Sequence, residues 1–119
     1  RVWDRVERTQ DILTSGAFIN DRERRQTWDD AAEALLQYMS NEWPIEKQNA
    51  CRADQIAEYA ATLFVIGTFD RELSDKALKV QETALEGFED TKLINADQKY
   101  RNTVGNLMNA ISTTHAAPA

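Results

Sequence analysis

Structure-breaking residues are scarce: two prolines and four glycines punctuate 119 residues. That is too little turn material for an all-β sandwich, which needs a turn signal roughly every 8–12 residues. A single cysteine, Cys51, excludes an intramolecular disulfide and a cysteine-based zinc cluster. The only histidine, His115, falls in a small, polar C-terminal tail, away from any partner for a Ser/His/Asp triad, a Cys/His pair or a helical metal site. The glycines are solitary, so no phosphate-cradling loop exists. No apolar run reaches the roughly 18–20 residues that span a bilayer; the longest, Ala60 to Ile66, suits the core of a buried helix. There is no basic excess either. The formal net charge is −6, spread along the chain, which argues against a nucleic-acid partner and favours solubility.

What remains is rich in Leu, Ala, Glu, Gln, Arg and Lys, all good helix formers. The fold class read from this is all-α, with about five helices as stacked antiparallel hairpins. By size the chain holds one domain, expected over 1–113 with a flexible tail at 114–119. Cys51 reads as a half-buried small hydrophobe, with a reactive thiol as the alternative. Its solitary presence fits a cytoplasmic protein better than a secreted one. No signal peptide is recognisable, and a start at Arg1 fits a mature form or an excerpt.

The apolar periodicity places the helices. Trp3, Val6 and Leu13 give a first helix over Val2–Leu13, stopped by Thr14-Ser15-Gly16 with Gly16 in a left-handed cap. Phe18 and Ile19 of the connector are expected to tuck back into the core. Trp28, Ala31, Ala32, Leu35 and Met39 predict a second helix from Asn20 or Asp21 to Glu42, ended by Trp43-Pro44. Ile45–Arg52 reads as a loop or the ragged first turns of the next helix. A third helix runs over Ala53–Thr68, with Ile56, Tyr59, Ala60, Leu63 and Ile66 on its buried side. Ser74 caps a fourth helix to Glu89, striped by Ala77, Val80, Ala84 and Phe88. A last helix begins at Asn95, paired with Gln98 in a capping box, and buries Tyr100, Val104, Leu107, Met108 and Ile111. Gly67, Ala77, Ala84 and Gly105 recur as small residues on contact faces, where backbones approach closely.

The charged clusters have simple readings. Arg22, Arg24 and Arg25 are interspersed with Asp21 and Glu23, and Asp29 lies four residues beyond Arg25, so ion pairs along the helix surface account for them. Asp29-Asp30 and Glu86 with Glu89-Asp90 read as solvated helix faces. A helix-turn-helix over Ile56–Lys79 lacks the Arg, Gln or Asn that base contacts require at the start of its second helix. No enzyme activity and no cofactor are expected.

Lys76-Ala77-Leu78, followed after five residues by Ala84-Leu85-Glu86, is similar to the second helix of a tetratricopeptide-type hairpin. Tyr100 to Met108, centred on Val104-Gly105, resembles the first helix of a following hairpin. Ile66-Gly67 stands where a preceding first helix carries the same pair. The likeness covers the second half of the chain. It departs from the family at Gln81 and Asp70, where large residues are usual, in lacking the proline after the second helix, and in a longer linker over Phe88–Asp97. The resemblance implies a concave groove, lined by first helices, that holds a partner's peptide. Asn102, Asn106 and Asn109 would face it from the last helix, with Arg71 and Phe64 contributed from the third. An asparagine row can hold an extended backbone whatever its side chains; the plainer reading is the polar face of an amphipathic helix.

The function this points to is a non-catalytic protein–protein interaction module binding a partner protein or peptide. The alternative is a self-assembling structural subunit of a homo-oligomer or particle. Trp3, Trp28 and Trp43 bear on that choice, since they either pack in the core or set at least one ring at an interface. A small-molecule pocket between helices is a third reading, without a convergent polar set to support it.

Overall fold

The chain is all-α, and the computed structural model describes residues 1–46, 50–89 and 94–116. Among the described residues six helical segments follow one another: α1 (Val2–Ser15), α2 (Asp21–Asn41), the single turn α3 (Trp43–Glu46), α4 (Ala50–Thr68), α5 (Ser74–Glu89) and α6 (Ile94–Ala116). Expectations for 47–49, 90–93 and 117–119, and for the side chains of Asn95, Ile111 and His115, lie outside the described residues.

Local chemistry sets the helix ends. Gly16 takes φ 70, the left-handed conformation that closes α1. The Asn20 side chain accepts from the Glu23 backbone N–H at 2.9 Å, while Glu23 accepts from the Ile19 N–H at 2.9 Å, so α2 starts with a reciprocal cap. Phe18 packs against the core, but Ile19, expected to tuck in beside it, is 89% exposed. Its backbone, rather than its side chain, is what the cap holds.

Trp43-Pro44 does end α2, and it also opens α3, because a proline in a first helical turn lacks only an N–H that has no helical partner. Of the two readings of Ile45–Arg52, a loop or the first turns of the next helix, the second holds from Ala50, where α4 starts three residues before the expected Ala53, and α3 reaches Glu46. Phe69–Leu73 forms the turn between α4 and α5. There Asp70 Oδ1 accepts from the Glu72 N–H at 3.0 Å. Ser74 does not cap α5; its hydroxyl donates to the Arg71 carbonyl, and the Leu73 carbonyl accepts the first helical bond from Ala77. The backbone of α6 is helical to Ala116, into the tail expected at 114–119.

Named contacts give the topology. Trp3 meets Tyr38 at 4.8 Å between ring centroids, so α1 lies antiparallel on α2. Trp28 donates to the Leu63 carbonyl and Arg52 to the Tyr38 hydroxyl, so α4 runs antiparallel to α2. Gly67 abuts Ala77 where α5 turns back along α4. Asp29 bonds Lys76 and Trp43 reaches the Gly87 carbonyl, which sets α2 parallel to α5. Lys99 approaches Asp54 at 3.8 Å, so α6 is parallel to α4. Helices α1, α4 and α6 thus run one way and α2 and α5 the other, in a body of 47 × 27 × 22 Å.

The core fills the space between the two sets. Ala53, Ala57, Ala60 and Ala61 bring neighbouring helices close to α4, whose Phe64 and Val65 are buried along with Ile56, Ala60 and Leu63, while Tyr59 and Ile66 of its expected face are half-buried. All three tryptophans are internal: Trp3 is 7%, Trp28 0% and Trp43 2% exposed. None is left to serve at an interface. Arg52 lies over the Trp3 ring at 4.1 Å, and Tyr59 stacks on Trp3 with 5.7 Å between ring centroids. Cys51, expected to be half-buried, is exposed. Among the described residues no helix is long and apolar enough to cross a membrane.

Candidate functional site

The face of α6 turned away from the core carries Asn102, Asn106 and Asn109, all exposed and brought together by the helical repeat. The other two residues expected beside them are placed elsewhere. Phe64 is 7% exposed and belongs to the core, because neighbours cover α4 on more than one side, so it cannot line an open groove. Arg71 is exposed, in the turn between α4 and α5 instead of on a helix.

Toward α5, the same helix borders a groove of about 280 Å³. Gln81 and Leu85 of α5 form one wall, Arg101, Val104 and Gly105 of α6 the other, with Tyr100 between them. Leu78, two turns before Leu85 and on the same side of α5, is 49% exposed. Val104, Leu107 and Met108, expected as core positions, are only half-buried. They pack against the edge of the core, and Gly105, Asn106 and Asn109 beyond them are exposed. Gly105 also departs from its expected role. A Cβ there meets nothing within 4 Å, whereas one at Gly67 would lie 2.6 Å from the Trp28 ring. Gly67 and Gly105 look alike in sequence, but of the two, among the described residues, only Gly67 is at a helix contact.

Tyr100 anchors the inner edge of this groove. Its ring lies 6.2 Å from Phe88, and the residue is 1% exposed. Its hydroxyl is buried without a hydrogen-bond partner among the described residues, which is unusual for a buried tyrosine. Burial pushes its pKa above the ordinary tyrosine value.

Charge sets α6 apart from the rest of the chain. From Asn102 to Ala116 there is no Asp, Glu, Lys or Arg, although 29% of all residues are charged. The charges of α6 sit in its first two turns, where Arg101 pairs with Asp97 at 3.2 Å. Apolar periodicity does not carry this feature, because it depends only on where apolar residues recur. A scan for charge-free windows reveals it.

The ionisable clusters elsewhere hold the fold together. Arg24 and Arg25 do not chiefly serve local pairs: they donate to Asp70 Oδ2 at 2.8 and 2.9 Å, across 46 and 45 residues. Those two guanidinium bonds hold the Asp70 carboxyl down to about 2, against the opposing effect of burial. At neutral pH it is a fixed anion that locks the α4–α5 turn onto α2. Asp29, expected to pair with Arg25, instead bonds Lys76 at 2.6 Å, and Glu33 pairs with the same ammonium. A second groove, of about 420 Å³, lies between Trp43, Pro44 and Gly87, with Glu86 the only charged residue among the described residues that line it. Among the described residues no group of three His, Cys, Asp or Glu is placed to hold a metal ion.

Comparison with protein-family models, curated proteins and solved structures yields no match to this chain.

Proposed function

We propose that the chain is a non-catalytic protein–protein interaction module that receives its partner on the open flank of α6 and the adjoining groove with α5. The observation that carries this reading is the charge-free run from Asn102 to Ala116 on a helix with exposed positions along it. A helix that faces only water ordinarily places charges on its outer side. Interface cores, by contrast, are depleted of charge. The half-buried Val104, Leu107 and Met108 supply apolar area next to it, and Asn102, Asn106 and Asn109 extend the surface with neutral donors and acceptors. The alternation of helix direction supports a tetratricopeptide-like arrangement, in which α6 takes the place of a first helix. No cofactor has a part in this function.

A display library of helical peptides about 20 residues long, amphipathic and varied in sequence, tests the reading. Peptides should be enriched whose binding falls at least tenfold with Gly105→Trp and is unchanged by Ile12→Glu. Failure to enrich any sequence, or enrichment indifferent to Gly105→Trp, would contradict it.

A further inference from the structure

We propose that the partner places a carboxylate in the groove between α5 and α6, where Arg101 and the Tyr100 hydroxyl donate to it. The carboxylate is an aspartate or glutamate side chain, set among apolar residues of a partner helix. This inference rests on the interaction surface proposed above and specifies the chemistry of what that surface receives.

Charge gives the sign of the incoming group. Of the described helices, α6 alone carries more basic than acidic residues, Lys99 and Arg101 against Asp97, while each of the others is net acidic. Arg101 is the only charged residue among the described residues that line the groove. Its bond to Asp97 uses Nε alone, and its two terminal nitrogens have no partner among the described residues. A guanidinium has donors enough to hold one carboxylate at its side and another at its end. In a chain of net charge −6, a groove lined by a cation and by no described carboxylate selects an anionic group.

A buried donor gives its place. Tyr100 directly precedes Arg101 and lines the same groove. Its hydroxyl is the one buried side-chain oxygen or nitrogen without a hydrogen-bond partner among the described residues. Folding leaves that donor unpaired at a cost which a partner's acceptor recovers. Burial raises its pKa, so it keeps its proton at neutral pH. The hydroxyl is closed to water in the free chain, and the acceptor reaches it as the half-buried Leu85 and Val104 of the groove walls move aside. Those two side chains then border the carboxylate, and the charge-free run from Asn102 follows it. The residues on either side of the partner's carboxylate are therefore apolar or neutral.

Fluorescence anisotropy with the helical peptides enriched on this chain tests the proposal. The peptides are amidated at the C-terminus, so that their only carboxylates are side chains. They should share one Asp or Glu at a fixed register from their apolar residues, and its replacement by Asn or Gln should weaken binding about tenfold or more. Arg101→Gln should weaken the parent peptide about as much, yet the amide-substituted peptide less than about threefold, because the two changes remove one interaction. Tyr100→Phe should weaken the parent about threefold or more. Arg8→Gln, at an exposed arginine of α1, should have no effect. Helix content by circular dichroism should be the same in all variants. Enriched peptides with no shared carboxylate overturn the proposal, and so does binding indifferent to Arg101→Gln or to Tyr100→Phe. If that binding still falls with Gly105→Trp, the interaction surface stands without the carboxylate. Failure to enrich any peptide removes both.

Discussion

Trp28 donates its indole N–H to the Leu63 carbonyl at 2.9 Å, from a ring that is fully buried. One turn further along α4, the same ring lies against Gly67, where an added Cβ would come within 2.6 Å of Trp28 Cζ2 and 2.7 Å of Ala77 Cβ. This one place on α4 joins it to both α2 and α5. The inner glycine and the outer one, Gly105, therefore have opposite sensitivities to substitution.

Gly67→Ala should destabilise the fold by about 1–3 kcal/mol, because overpacking against the Trp28 ring and a fixed methyl outweighs a helix-propensity gain of about 1 kcal/mol. Urea denaturation followed by tryptophan fluorescence measures it. Gly105→Ala has no such clash and should stabilise modestly; a loss there as large as at Gly67 would be inconsistent with the packing described.

The Asp70 lock makes a pH prediction. Its pKa falls from an ordinary 3.8 to about 2 in the fold. A carboxylate lowered on folding contributes stability that is full above its unfolded pKa and is lost as pH falls from about 4 toward 2. Because Arg24 and Arg25 are part-exposed and screened, the contribution at neutral pH is about 1–2 kcal/mol. Asp70→Asn should lose that amount at pH 7 and converge with the unaltered chain near pH 2. A constant difference between the two across that range would contradict the lock.

Tyr100→Phe should cost nothing and gain up to about 1 kcal/mol, since the substitution removes a buried hydroxyl that has no partner and keeps the ring. Thermal unfolding in parallel with the unaltered chain is sufficient. A loss greater than 1 kcal/mol would mean that the hydroxyl is engaged in solution.

Much of the fold was legible in sequence. The spacing of Trp28, Ala31, Ala32, Leu35 and Met39 identified the buried side of α2, and Ala77, Val80, Ala84 and Phe88 that of α5. Periodicity reports the face a helix would bury, which is a local property. It does not report whether a neighbour is present to bury it. That is why Val104 and Met108 read as core yet remain half-buried, and why Gly105 looked equivalent to Gly67. The Asp70 lock was hidden for a related reason. Asp21 and Asp29 stood at helical spacing from Arg24 and Arg25, while the principal partner lay 45 residues away and became adjacent only when α4 folded back along α2. Of the site, the asparagine row was legible as one face, but Phe64 was misplaced because an apolar residue at a helix margin can turn either way.

The central claim is that the open flank of α6 is covered by a partner in solution. Thiol reactivity at Gly105→Cys, in a Cys51→Ser background, tests it most directly, with Ile12→Cys in the same background as the reference. The maleimide labelling rate at position 105 should fall at least fivefold on adding an enriched helical peptide, while the rate at position 12 stays constant. An unchanged rate at position 105 would contradict the claim.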